Sequence, residues 1–166
     1  MENKMQTIKI DKVTLSMSST AEELERGFKL LGRISEKKVV KSKSNKRIPT
    51  LGVRPGLEVG ALVTLRGKKA EEILGRLLAS IGNKIKSKQI SENSFSFGIK
   101  EYIEIPGMTY QRDIGIMGLE VSVTFVRAGK RVILRKIKRG RLPKKQHVSE
   151  EEIASFIENK FNVEVI

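Results

Sequence analysis

Cysteine is absent from this chain, which excludes disulfides, thiolate zinc centres and cysteine nucleophiles together. Histidine is nearly absent. His147 stands alone, so a two-histidine metal site is ruled out and a Ser/His/Asp triad has little support; an exposed loop position near a helix start, open to RNA contact, is the expected role. No uninterrupted apolar run reaches the roughly eighteen residues of a membrane span, and the opening Met1-Glu2-Asn3-Lys4-Met5-Gln6 lacks the apolar stretch of a signal peptide. A cytoplasmic location is expected. Phosphate-loop spacing is missing as well: no glycine pair fits Gly-x-x-x-x-Gly-Lys followed by Ser or Thr, and Gly52, Gly56 and Gly60 are spaced wrongly for a dinucleotide fingerprint. No cofactor, metal or small-molecule substrate is implied.

Acidic residues are missing from two long stretches, and there the sequence becomes informative. The 166 residues carry 33 Lys+Arg against 19 Asp+Glu, a net charge of +14. Lys37–Arg54 holds Lys37, Lys38, Lys41, Lys43, Lys46, Arg47 and Arg54 with no acid between them. Arg127–His147 holds Arg127, Lys130, Arg131, Arg135, Lys136, Lys138, Arg139, Arg141, Lys144 and Lys145, again with none. Without these seventeen the chain has a net charge of −3. It is therefore an ordinary, slightly acidic globule with two concentrated cationic segments, the layout expected where side chains displace counterions from a phosphate backbone. An anionic membrane suits it poorly, because neither stretch has the apolar Trp/Phe/Leu face that would insert.

Alternation and helical spacing give an α+β reading. Residues 8–17, 59–66, 95–99 and 119–125 alternate apolar and polar positions and are expected strands, with 39–43 a short one. Tyr102–Ile105 is expected to extend the sheet as far as Pro106. Leu24, Phe28 and Leu31 recur at helical spacing after a Thr20-Ala-Glu-Glu23 capping box; Ile73, Leu74, Leu77, Leu78 and Ile81 do so before Gly82-Asn83, a pair suited to a left-handed cap. A second capping box, Ser149-Glu-Glu-Glu152, opens a helix through Ile153, Phe156, Ile157 and Phe161, with Val163 and Val165 as a last strand. The Glu clusters at 22–25, 71–72 and 150–152 fall early in expected helices, where they complement the free amides. Phe95 and Phe97 suit either a stacking platform or an inward core pair. A mainly antiparallel sheet is expected, with helices on one face and the other free for a ligand.

From Val63-Thr-Leu-Arg-Gly67 the chain becomes recognisable. With the preceding Lys41-Ser-Lys43, Lys46-Arg47, Gly52-Val-Arg-Pro-Gly56 and Gly60, it resembles the universal large-subunit ribosomal protein that binds 5S ribosomal RNA, the fifth of that subunit. Ser96-Phe-Gly-Ile-Lys-Glu101 and Gly118-Leu-Glu-Val-Ser-Val123 agree, and the likeness covers about residues 8–126. Residues 127–166 look like the basic extension and final helix of archaeal and eukaryotic members. The missing long leading helix also looks archaeal.

The resemblance implies one α+β domain over residues 1–126 with 127–166 packed on, or ordered by, the same domain and its RNA. It implies 5S rRNA contacts at Ser16, Lys37, Lys41, Lys43, Thr64 and Arg66, and a peptidyl-site (P-site) tRNA loop holding Lys46, Arg47, Gly52, Arg54 and Gly56, flexible enough to follow a moving partner. Arg131, Arg135, Lys136, Lys138, Arg139, Arg141, Lys144 and Lys145 are expected to lie on rRNA. Implied partners are 5S rRNA, 23S rRNA, P-site tRNA, the neighbouring 5S-binding protein of the eighteenth type and the small-subunit head across an intersubunit bridge. There are departures from the family pattern. Ser16-Met-Ser18-Ser-Thr20 replaces Asn-x-Gly-x-Gly-Glu, shortening an RNA contact to a hydroxyl or removing it. Leu51 replaces a loop aromatic, and Lys37-Lys38-Val39 replaces Gln-Lys-Pro. The competing reading is an RNA-processing enzyme, or another RNA-binding module, docking through the basic stretches. It needs a clustered catalytic constellation that the sequence does not offer.

Overall fold

The computed structural model describes residues 3, 5–19 and 21–166, with Ala21 described by its backbone alone. Its strands are β1 (Lys9–Ser18), β2 (Val40–Lys43), β3 (Glu58–Leu65), β4 (Lys84–Ile85), β5 (Ile90–Ser91), β6 (Ser94–Ile99), β7 (Leu119–Val126) and β8 (Glu164–Val165). Its helices are α1 (Ala21–Ser35), α2 (Lys68–Ser80), the single turn α3 (Arg131–Leu134) and α4 (Glu150–Phe161). Six strands form one antiparallel sheet in the order β2-β3-β1-β7-β6-β5, while β4 and β8 pair in parallel as a separate ribbon. The α+β architecture is the one the alternation implied.

Period-two patterning decides which face is covered. Val13, Leu15 and Met17 of β1, Val63 and Leu65 of β3, and Val121, Val123 and Phe125 of β7 are buried on one side. Leu24, Leu30, Leu31 and Ile34 of α1, Leu74, Leu77 and Leu78 of α2, and Ile153 and Ile157 of α4 close the same cluster. Phe95 and Phe97 belong to it, at 1% and 4% exposure, which settles them as a core pair. Their rings stack 5.9 Å apart, and Phe125 stacks on Phe95 at 5.7 Å. The final helix thus shares the core of the strands before it.

One segment differs from the sequence expectation. Tyr102–Glu104 is a 3-10 turn and does not lengthen the sheet. The buried Tyr102 hydroxyl accepts the Gln111 amide at 2.9 Å, and Tyr102 donates its own amide to Met117, so these apolar residues pin a long connection. Gly60 lies inside β3, paired with Ser18 and Ser42, within the strand expected over residues 59–66. The Thr20 cap expected for α1 lies outside the described residues, whereas Gly82 and Asn83 take the left-handed conformation expected after α2.

The second capping box is built as the sequence implies. Ser149 Oγ accepts the Glu152 amide and Glu152 Oε2 accepts the Ser149 amide. That bond, then the Arg127 guanidinium, holds the Glu152 carboxyl below its ordinary value in spite of partial burial. A depressed carboxylate contributes stability above its unfolded pKa and loses it as pH falls through the folded value. Glu152→Gln is therefore expected to lower the thermal midpoint at neutral pH, and the gap to wild type is expected to close as acid protonates the native carboxylate. A gap that persists after the native carboxylate has itself been protonated, well below the ordinary carboxylate range, would contradict the assignment.

Candidate nucleic-acid interface

The uncovered face of the sheet is a plane of hydroxyls. Register places Thr64, Thr14, Ser122 and Ser96 side by side across β3, β1, β7 and β6, a row spanning about 14 Å at ordinary strand spacing. One step along lie Lys12, Thr124 and Ser94; two residues the other way, Ser16 faces Leu62 on one side and Glu120, then Gly98, on the other. None of these residues is buried. A surface made mostly of small hydroxyls, with Lys12 and Glu120 its charged members here, suits ribose 2′-hydroxyls and phosphates and reading by shape rather than sequence.

The tip of the first cationic stretch and the whole of the second sit at opposite ends of this plane, while Lys37, Lys38 and Lys41 lie just before or on its edge strand β2. Loop 44–57 joins β2 to β3 beyond Ser18, whereas the 127–148 segment leaves β7 opposite Lys9. The ten residues of β1 separate these ends by about 30 Å. Among the described residues, only Lys41, Arg127 and Lys130 of the seventeen cations form ion pairs. The other fourteen have no described carboxylate partner.

Most, though not all, of the expected contact residues come together here. Ser16 and Thr64 lie on the open face, and Arg66 is exposed just past the end of β3. Lys37 and Lys43 are exposed before and at the end of the edge strand β2. Lys41 points elsewhere. It pairs with buried Ala61, which turns its side chain toward α1, where it meets Glu25, lies 3.2 Å from Glu58 and sits over the Phe28 ring at 5.5 Å. The Glu25 and Glu58 carboxylates raise its ammonium above the ordinary lysine value. Lys41 secures β2 to α1 and is withdrawn from the open face.

The loop holding Lys46, Arg47, Gly52, Arg54 and Gly56 is a hydrogen-bonded hairpin tip. Ser44 donates to Leu57 and accepts from Gly56, Ile48 and Val53 exchange bonds of 2.9 and 3.1 Å, and Val53 is 7% exposed. Gly52 and Gly56 have φ of 65° and 84°, conformations that a side chain would strain, and so make the reversals. Lys46, Arg47 and Arg54 are exposed on this tip, and Leu51 projects from it at 70% exposure.

The 127–148 segment is anchored by a few residues and otherwise displayed. Arg127, with its side chain 14% exposed, lies 2.5 Å from Glu152 and donates to the Lys145 carbonyl; Lys130 lies 2.5 Å from Asp11. At its return, His147 Nδ1 lies 2.6 Å from Glu92, and the Val148 amide donates to Asn93 Oδ1. His147, expected to be exposed, is instead half-buried and ties the segment to the β5–β6 turn. Arg131, Arg135, Lys136, Lys138, Arg139, Arg141, Lys144 and Lys145 are all exposed.

Thr14, Ser94, Ser96, Ser122 and Thr124 do not stand out in the sequence as contact residues. Their signal is the polar half of each alternating strand, but only register reveals that they line up. No group of three or more metal-ligating His, Asp or Glu occurs among the described residues, and no helix there is long and apolar enough to cross a membrane.

A hydroxyl-rich plane held between two ends rich in cations that have no described carboxylate partner has the character of a polyanion-binding protein of the α+β class. Comparison with known proteins supplies the family. A model of the C-terminal part of the ribosomal L5 protein family matches residues 58–156. The large ribosomal subunit protein uL5 of Nanoarchaeum equitans is 41% identical, with all of both chains covered. That of Sulfurisphaera tokodaii is 39% identical over 99% of this chain and 95% of its own, and that of Methanobrevibacter smithii 38% over 99% and 98%. The chain belongs to the uL5 family of ribosomal proteins, which serve as structural constituents and not as enzymes.

Proposed function

We propose that this protein holds 5S rRNA in the central protuberance of the large subunit of a cytoplasmic ribosome, its open sheet face against the RNA. The observation that carries the reading is the row Thr64–Thr14–Ser122–Ser96, which crosses the sheet between two cation-rich ends. Hydroxyls supply geometry and specificity for RNA over DNA through the 2′-hydroxyl, while Lys37, Lys43 and Arg66 at the margins supply counterion release. The hairpin tip carrying Lys46, Arg47 and Arg54 reaches the P-site tRNA, and the eight exposed cations of the 127–148 segment lie on rRNA, including 23S rRNA. Residues 127–166 act as an extension of the domain formed by residues 1–126. The 5S-binding protein of the eighteenth type is a neighbour, and the small-subunit head lies across the intersubunit bridge. These placements follow the family resemblance together with the charge layout.

Recovery of RNA bound to the protein in cell extract tests the central claim: 5S rRNA is expected to predominate, and another species in its place would defeat the reading. A paired substitution separates the two sites. Thr64→Val with Arg66→Gln is expected to weaken 5S binding by about tenfold or more, the scale of one or two lost hydrogen bonds to charged groups. Arg47→Gln with Arg54→Gln is expected to spare 5S binding and to slow a tRNA-dependent step of translation. The reverse pattern would show the loop to be misplaced.

A further inference from the structure

The aliphatic side chains between Arg131 and Lys138 divide into two kinds. Val132 and Ile133 are half-buried, and Ile133 lines a small cleft with Phe125, Leu142 and His147. Leu134 and Ile137 are 70% and 80% exposed. The Gly140 amide donates to the Val132 carbonyl at 3.1 Å, closing the residues between them into a knuckle whose turn includes Lys138 at φ 52°. Its tip, Leu134–Arg139, consists of those two aliphatic side chains and four cations, Arg135, Lys136, Lys138 and Arg139, none paired with a described carboxylate. The knuckle's base is held by Arg127 on Glu152 and Lys130 on Asp11. The fold thus uses two cations for anchoring and leaves a preshaped, cation-flanked apolar pair facing outward.

Building on the reading that this segment lies on rRNA, we propose that Leu134 and Ile137 seat in the shallow minor groove of an A-form RNA duplex while the flanking cations reach the phosphates on either side. That groove is wide and shallow and is walled by ribose, whose C–H faces offer an apolar surface to two aliphatic side chains; the RNA major groove is too deep and narrow for a knuckle to enter. B-form DNA presents a minor groove of only about 6 Å, too narrow for it. Charge complementarity selects RNA over the other occupants. A protein interface places few lysines beside its apolar anchor. A membrane surface requires an extended apolar helical face, whereas α3 is a single turn.

The test uses the full-length chain carrying both Leu134→Ser and Ile137→Ser, titrated against an RNA duplex of about 16 base pairs, long enough to offer two minor grooves. A DNA duplex of the same sequence and phosphatidylserine-rich vesicles are the comparison probes. The double substitution is expected to weaken RNA-duplex binding about tenfold through lost apolar contact, with the salt slope unchanged. DNA-duplex binding is expected to stay as it was. Arg135→Gln with Lys136→Gln is expected to flatten the salt slope on both duplexes without that discrimination. Unchanged RNA affinity, or equal losses on RNA and DNA, overturns the groove assignment while leaving RNA binding standing. Vesicle binding that depends on Leu134 and Ile137 also overturns it. A wild-type chain with no salt-dependent affinity for RNA overturns the underlying reading.

Discussion

The affinity of this protein for RNA is expected to fall about a thousandfold between roughly 50 and 200 mM salt, the response of a surface that neutralises about six phosphates. Fourteen of the seventeen cations in the acid-free stretches have no described carboxylate partner, so six contacts are well within reach. Replacing Arg131, Arg135, Lys136, Lys138, Arg139, Arg141, Lys144 and Lys145 with glutamine is expected to take away much of that slope. The folded body should be unaffected, because all eight side chains are exposed and none enters the core. Arg127→Gln behaves differently: its guanidinium braces Glu152, so its loss is expected to loosen α4 before it alters the salt response. A wild-type affinity that ignores salt would remove the electrostatic basis of the proposed interface. Equilibrium titration across a graded salt series is enough to decide.

The largest effect on stability is expected from Phe125→Ala. Phe125 is 2% exposed, stacks on Phe95 at 5.7 Å and meets Phe156 of α4 edge-on at 5.5 Å. It therefore joins β6, β7 and the final helix through one side chain. Truncating a buried phenylalanine costs about 3–5 kcal/mol, from lost apolar burial and the cavity left behind. For a chain of this size that corresponds to a fall in thermal midpoint on the order of 10 °C. Phe156→Ala, at a half-buried position, is expected to cost clearly less. Protease cleavage within the 127–148 segment should rise in the Phe125 variant, because the docking of α4 is what returns that segment to the body. A drop in midpoint of only a degree or two would show that the final helix does not share the core.

Much of the fold is legible in particular residues. Val13, Leu15 and Met17 against Thr14 and Ser16 announce a strand with one buried face, since side chains alternate strictly along extended backbone. Ser149 and Glu152 announce a helix start because their spacing alone lets each satisfy the other's amide. Tyr102–Ile105 misled for an equally physical reason. Its apolar residues suit a strand, but Tyr102 and Ile105 bury into the core through a tight turn, and alternation over four residues does not distinguish the two.

The chemistry of the partner was set by composition: two stretches with seventeen cations and no acid favour a polyanion whatever fold carries them. What the sequence could not fix was arrangement. That Lys41 belongs to Glu25 and Glu58, while its neighbours stay free, depends on a strand register that turns it toward α1. That Thr64, Thr14, Ser122 and Ser96 share one row depends on pairings between residues as far apart as Thr14 and Ser122. Such contacts are chosen by packing of the whole core, because a one-residue slip would carry every hydroxyl to the buried side. Local sequence determined which groups are present and which elements hold them; only the folded sheet decided which of those groups meet on one surface.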